Sequence, residues 1–299
     1  MFTMKTTIKF LFSLFLIYKA NAFQSPSQIS GARASSTLPR VKVQSLNILV
    51  NNQASVVERV SNSKLFSATN AESENEIDVE ALVKYTVAGA VQMSGFYVAL
   101  SAMDYGLASF DLSPPIWANC LFFYACSLKS RVLNPLSNNR PKVASPIEEE
   151  INRPSWTPPG VFFPIMWLLI IGPIRAYSSS MVFEATGSYT NVAILSFLLH
   201  LSIGDIWNTV NNVEKRLGAA ASGVFFVIFS AANAAYQYNQ VDPAAGQLLG
   251  LTLLWLCTAG ALVNSIWQLN PDKLTGEKDK LYPVKGAAET RFSWLSNAD

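Results

Sequence analysis

Residues 244–269 read AAGQLLGLTLLWLCTAGALVNSIWQL, a run that contains no Asp, Glu, Lys or Arg. A helix needs about twenty mostly apolar residues to cross the hydrocarbon core of a bilayer, so this run is long enough to span one. Asp242 and Pro243 precede it as a helix cap and a first-turn proline, and Asn270-Pro271 follow it as a stop signal. The stretch therefore predicts a transmembrane helix.

Five further apolar segments precede this one, each near the length that a membrane helix needs. Their apolar residues are consecutive, whereas the strands of a membrane barrel would alternate in polarity, so helices are favoured. The segments cover about residues 83–105, 113–128, 157–181, 190–210 and 217–236. The predicted fold is an all-α membrane protein of six helices.

The loop charges support this arrangement, because they divide by side when the loops are placed alternately. One side receives only four acids and no cation: Asp104, Asp111, Glu184 and Asp242. The other side receives the Lys and Arg residues of the loops and of the C-terminal tail, namely Lys129, Arg131, Arg140, Lys142, Arg153, Lys215, Arg216, Lys273, Lys278, Lys280, Lys285 and Arg291. This is the positive-inside pattern, and it was not used to find the segments.

Composition excludes several classes of function. Half of the 299 residues are apolar and only 14% are charged, against roughly a quarter in a soluble domain. The net charge is +2 and no basic stripe is interleaved with aromatic residues, so nucleic-acid binding is not expected. Cys120, Cys126 and Cys257 lie in apolar segments without a C-x-x-C pair, which argues against a disulfide framework or a zinc site. With one histidine and no phosphate loop, H-E-x-x-H or serine elbow, we predict no catalytic and no metal-binding residues.

The first seventy residues carry targeting signals. Residues 1–22 combine early lysines, a short apolar run and the cleavage signal Ala20-Asn21-Ala22, which is typical of a signal peptide. Residues 23–70 are Ser-rich, basic and nearly free of acids, as in a transit peptide. The stretch ANAFQSP at 20–26 resembles the bipartite presequence of algae with secondary plastids, which implies a plastid membrane, thylakoid or envelope. The alternative is a disordered secreted linker.

Four short motifs occur in order within the later segments. They are RPSWTPP at 153–159 with Trp167 eleven residues after Trp156, Trp207 ahead of EKRLG at 214–218, PAA at 243–245, and Trp255 with Trp267 twelve residues later. In this spacing the chain resembles the TspO/MBR family, the tryptophan-rich sensory and translocator proteins. The resemblance implies five TspO-like transmembrane helices plus one extra N-terminal helix. It divides the mature chain into N-terminal helices at 71–134, a TspO/MBR-like region at 135–270 and a basic disordered tail at 271–299.

The resemblance also implies a cavity in the helical bundle. Indole faces stack on planar ligands and the indole N–H fixes a ligand edge, although tryptophan also anchors helices at the bilayer interface. The ligands implied are tetrapyrroles, such as porphyrin or heme, and sterols, with no cofactor required. The predicted ligand-binding residues are Trp156, Trp167, Asp205, Trp207, Trp255 and Asn264.

Asp205 is the acid that lies well inside the fourth segment, where the family has Asn-Trp and this chain has Gly204-Asp205. An ionisable residue in a spanning helix is costly, so we predict that it faces a polar cavity with Arg175 as its partner, the alternative being an interhelical hydrogen bond. His200 is a candidate ligand of heme iron, although a single histidine more often packs in the core.

These observations predict an integral membrane protein of binding or transport type that holds a tetrapyrrole or lipid. Its predicted partners are the bilayer, a hydrophobic small molecule, and a second copy of the chain through the small residues of segment 217–236. Two alternatives stay open at this point. One is a structural or assembly subunit of a photosynthetic membrane without a pocket, and the other is a porphyrin-degrading membrane enzyme.

Overall fold

The computed structural model describes residues 76–138, 151–272 and 275–293, so the targeting signals predicted at residues 1–70 lie outside the described residues. Most of the described residues are helical, and the β-structure among them consists of isolated bridges. Their helices are α1 Val79–Ser109, α2 Ile116–Lys129, α3 Phe162–Thr186, α4 Val192–Val213, α5 Leu217–Val241 and α6 Pro243–Leu269. The predicted all-α fold is confirmed.

Five of these helices, all except α2, are long and apolar enough to cross a membrane. The chain is therefore a multi-pass membrane protein, and the extra N-terminal helix α1 is one of the five. Helix α2 has 14 residues, about 21 Å at 1.5 Å per residue. This is shorter than the roughly 30 Å of a hydrocarbon core, and the 3₁₀ turn Ser130–Leu133 that follows contains the loop cation Arg131.

The loops gather at two ends of the bundle, as the charge pattern predicts. At the acidic end, the carboxylate of Asp104 in α1 binds the turn between α3 and α4. It accepts hydrogen bonds from the Ser188 hydroxyl at 2.8 Å and from the backbone N–H groups of Tyr189 and Thr190 at 2.8 and 3.0 Å. Burial and the Asp104 charge together raise the pKa of Tyr189 to about 12. The phenol in this turn is therefore neutral at physiological pH.

The C-terminal segment, residues 275–293, packs along the opposite, cationic end. Antiparallel bridges join Val284 to Ile77 before α1, and Phe292 to Leu136 after the 3₁₀ turn. The prediction of a disordered tail is thus corrected for this segment. Its basic composition resembles that of a disordered chain, but its backbone groups hydrogen-bond residues near the start of α1, after the 3₁₀ turn, in the α4–α5 turn and on α5 and α6.

A buried ion cluster holds this segment against the bundle. Arg216, in the turn between α4 and α5, is 5% exposed and pairs with the carboxylates of Asp78 at 2.7 Å and Glu214 at 2.9 Å. It also donates hydrogen bonds to the backbone carbonyls of Val284 and Ala288, both at 2.7 Å. One guanidinium therefore connects the start of α1, the α4–α5 turn and the C-terminal segment.

Small residues of α5 allow close packing within the chain. A Cβ atom at Gly218 would lie 2.2 Å from the carbonyl oxygen of Lys280, and one at Gly223 would lie 3.2 Å from Cδ1 of Trp207. Part of the small-residue surface is thus covered by the C-terminal segment and by α4. Association with a second copy stays a prediction.

Candidate ligand site

An aromatic cluster surrounds Trp255 in α6. Its side chain is 8% exposed and packs with Met166 and Ile171 of α3. The rings of Phe162 and Phe163 approach it edge-on, with centroid separations of 5.7 and 5.8 Å. The aromatic cluster therefore encloses one predicted site residue between the first turns of α3 and the middle of α6.

Helix α3 changes its hydrogen bonding next to this cluster. Residues Met166–Ile171 form a π-helical turn, in which the N–H of Gly172 bonds the carbonyl of Trp167. The carbonyl of Leu168 then loses its usual partner, and Pro173 has no N–H to offer. The Tyr124 hydroxyl of α2 donates to it instead, at 2.8 Å. Such π-turns are frequent at functional sites, and this one contains Trp167, which is half-buried and packs against the aromatic cluster.

Trp167 connects the aromatic cluster to a second apolar cluster formed by Val227, Ala231 and Leu256. Over its ring lies the guanidinium of Arg175, whose central carbon is 5.1 Å from the Trp167 centroid. A cation over an indole face is attracted by the ring quadrupole. Trp167 therefore has an apolar environment and a cationic neighbour together.

Trp207 and Asn264 are structural in this arrangement. The indole N–H of Trp207 donates to the carbonyl of Ala220 in α5 at 3.0 Å. The Asn264 amide donates to the carbonyls of Ala221 and Gly260 at 3.3 and 3.0 Å, which ties α6 to α5. Trp207 packs against the second apolar cluster, so its ring remains near Trp167 although its N–H is occupied.

The Asp205 carboxylate is hydrogen-bonded to the extra helix, and its predicted partner Arg175 acts on it electrostatically without a direct ion pair among the described residues. Its carboxylate accepts a hydrogen bond from Gln92 of α1 at 2.8 Å, and its backbone carbonyl accepts one from Arg131 at 2.9 Å. The hydrogen bond of Arg175 goes to Nε2 of His200 at 2.7 Å. Asp205 therefore makes the interhelical hydrogen bond that was the alternative interpretation of this residue.

His200 is buried, and both of its ring nitrogens are engaged. Nε2 faces Arg175, and Nδ1 lies 3.0 Å from the hydroxyl of Ser230 in α5. The candidate role as a ligand of heme iron would need a ring nitrogen released from one of these contacts. Trp156 is half-buried in the connection that precedes α3.

The structure adds residues that the sequence interpretation did not place at the site. Phe162 and Phe163 form two sides of the aromatic cluster, and their position directly after the Pro-Pro helix start was a usable signal. The sequence shows Gln92 as the polar interruption of an apolar segment, but it does not indicate that Asp205 of α4 is its hydrogen-bond partner.

Two buried donors beside Trp167 have no hydrogen-bond partner within the described residues. They are Nε1 of Trp255 and Nε of Arg175. Both groups can only donate. A buried polar group without a partner costs about 1–3 kcal/mol, and such groups are rare in native structures.

The sequence of this region is similar to a known protein family and to several described proteins. The model of the TspO/MBR family matches residues 120–268, which is α2 to α6 without α1 or the C-terminal segment. Protein CrtK of Rhodobacter capsulatus is 26% identical over 133 residues, 44% of this chain and 79% of that protein. The translocator protein of Bos taurus is 26% identical over 131 residues, covering 43% and 77%. The tryptophan-rich sensory protein of Cereibacter sphaeroides is 25% identical over 122 residues, covering 41% and 75%.

Proposed function

We propose that this membrane protein, whose residues 120–268 match the model of the TspO/MBR family, binds an apolar ligand, a tetrapyrrole or a lipid, among the tryptophans of its bundle. The role proposed is binding or transfer, and the chain is not proposed to be an enzyme. The observation that carries the proposal is the indole N–H of Trp255, which is buried in an aromatic cluster and has no acceptor among the described residues.

A ligand acceptor atom at Trp255 would complete its hydrogen bonding. The edge-on rings of Phe162 and Phe163 occupy the space beside the indole, and they belong to the first turn of α3, next to the connection at 151–161. Rotation of these two side chains opens a path to Trp255 and to the Trp167 face behind it. The site then combines stacking faces with one directional donor, which suits a planar ligand with polar edge atoms.

Replacing Trp255 with phenylalanine is expected to weaken binding about threefold to tenfold, because the ring is largely kept while the N–H donor is lost. The measurement is a titration of the purified full-length chain in detergent. Protoporphyrin IX and heme are followed by tryptophan quenching, and cholesterol is followed by competition with bound porphyrin.

Trp117→Phe is the matched control, since this tryptophan of α2 is 65% exposed on the outer surface of the bundle. Its substitution is expected to leave the affinity unchanged. Absence of saturable binding for all three probes would contradict the proposal and favour an assembly subunit. Light- or oxygen-dependent conversion of bound porphyrin by the purified chain would favour the degrading enzyme instead.

We further propose that the protein resides in a plastid membrane, on the basis of residues 1–75. Fused to a fluorescent protein and expressed in a diatom, this segment is expected to direct fluorescence to the plastid. Deletion of residues 1–22 should leave the fusion in the cytosol, since entry to the secretory route is lost. Diffuse secretion of the intact fusion would contradict the assignment.

A further inference from the structure

Arg175 is a cation enclosed near the middle of α3. It is 5% exposed, and burying a guanidinium is costly unless a counter-charge or hydrogen bonds compensate it. Its hydrogen bond to His200 goes to a neutral acceptor, and its Nε has no partner within the described residues. The faces of Trp167 and Phe197, at 5.1 and 6.0 Å, supply weak electrostatic attraction only.

No carboxylate contacts the Arg175 guanidinium within the described residues. Asp205 interacts electrostatically with both Arg175 and Arg131, and its carboxylate is hydrogen-bonded to Gln92. Tyr238, the other ionisable group acting on Arg175, is a phenol whose hydroxyl is paired with Ser179. Within the described residues no carboxylate pairs directly with the Arg175 guanidinium, so its positive charge lacks a counter-charge in contact with it.

The Arg175 guanidinium adjoins the aromatic cluster. Arg175 lies over Trp167, and Trp167 packs against the cluster that contains Trp255. Nε of Arg175 and Nε1 of Trp255, which have no partner in the part of the chain that the structure describes, are thus both neighbours of one indole. A carboxylate has two oxygens that accept hydrogen bonds and a charge that would balance the guanidinium.

We propose that Arg175 binds the carboxylate of the ligand, so that the site selects an apolar molecule with an acidic group over a neutral one. This inference rests on the proposed function, whose ligand class it narrows. A porphyrin with free propionates and a long-chain fatty acid both carry the required group, whereas a sterol does not.

The test compares protoporphyrin IX with its dimethyl ester, in which both carboxylates are neutral. The full-length protein is expected to bind the free acid about tenfold to a hundredfold more tightly than the ester, the range for a hydrogen bond to a charged group. Arg175→Gln is expected to bring the affinity for the acid down to that for the ester and to leave the affinity for the ester unchanged.

Oleate is the third probe. Competition with the porphyrin in the unmodified protein identifies a lipid carboxylate as a ligand, and lack of competition identifies the tetrapyrrole.

Lys129→Gln is the matched control, because it removes an exposed cation at the end of α2 and leaves Arg175, Asp205 and Arg131 in place. The preference for the acid is expected to persist in this variant. Equal affinity for acid and ester in the unmodified protein would overturn the inference while the proposed function stands. This comparison needs no variant, so it decides the matter even if Arg175→Gln does not fold. Absence of saturable binding for acid and ester alike would instead overturn the proposed function.

Discussion

Arg216→Met is expected to lower the free energy of unfolding by about 3–5 kcal/mol, the usual cost of removing one partner from a buried ion pair. The substitution leaves the carboxylates of Asp78 and Glu214 without their cation. It also leaves the carbonyls of Val284 and Ala288 without their donor. We expect an apparent Tm about 10 °C lower in detergent and faster proteolysis of the C-terminal segment.

Lys215→Met is the control for this change, because it removes an adjacent but exposed cation. It should shift stability by no more than about 0.5 kcal/mol. Equal effects of the two substitutions would contradict the structural role of Arg216.

The pH dependence of the cluster follows from Asp78. Burial raises its pKa, but hydrogen bonds from the Ala81 N–H and from Arg216, together with the Arg216 charge, outweigh burial and hold the pKa below its ordinary value. A carboxylate with a depressed folded-state pKa contributes stability above its unfolded pKa and loses it as the pH falls through the folded value. The contribution of this pair is therefore present at neutral pH and is lost in acid.

Gln92→Leu is expected to destabilise the protein by about 2–4 kcal/mol and to loosen α1. Gln92 is fully buried and donates to the Asp205 carboxylate at 2.8 Å and to the Ser130 carbonyl at 2.9 Å, while accepting from Asn134 at 2.8 Å. Leucine fills similar space but leaves these buried groups without a partner, and each such group costs about 1–3 kcal/mol. Thermal unfolding in detergent and protease sensitivity of α1 measure the effect.

The same substitution at Gln247, an exposed position of α6, provides the comparison. Gln247→Leu is expected to change stability little, because no buried partner is lost. If Gln92→Leu were equally harmless, the hydrogen bonds between α1 and α4 would not be what holds the extra helix.

The helices themselves were predictable from apolar runs, but their ends were not. The first segment was predicted at 83–105, whereas α1 covers Val79–Ser109. Its first two turns contain Glu80 and Lys84, which pair across one helical turn at 2.5 Å. An apolar run ends where charges begin, while the helix continues beyond it because i,i+4 pairs and the Asp78 cap stabilise the terminus.

Contacts between distant parts of the chain were not predictable in this way. The C-terminal segment has a disordered composition, yet its carbonyls at Asp279 and Leu281 accept hydrogen bonds from Trp267 and Ser222. These donors lie on α6 and α5. Composition reports the average polarity of a segment, but it carries no information about which buried donors lie opposite its backbone.

The candidate site was predicted in part. Trp167 and Trp255 meet at one aromatic region, as the resemblance implied, because α3 and α6 are neighbours in the bundle. Asp205 and Arg175 interact electrostatically, but the hydrogen-bond partner of the carboxylate is Gln92 of the extra helix α1, which the sequence interpretation did not predict. That contact depends on which helix packs beside α4, and a single sequence does not specify this.

The most direct test of a ligand site beside Trp167 is an experimental structure of the full-length protein with protoporphyrin IX. We predict the porphyrin between α3 and α6, with an acceptor atom about 2.9 Å from the Trp255 indole nitrogen and a carboxylate at Nε of Arg175. A porphyrin bound only on the outer surface of the helices, with Phe162 and Phe163 still packed against Trp255, would contradict it.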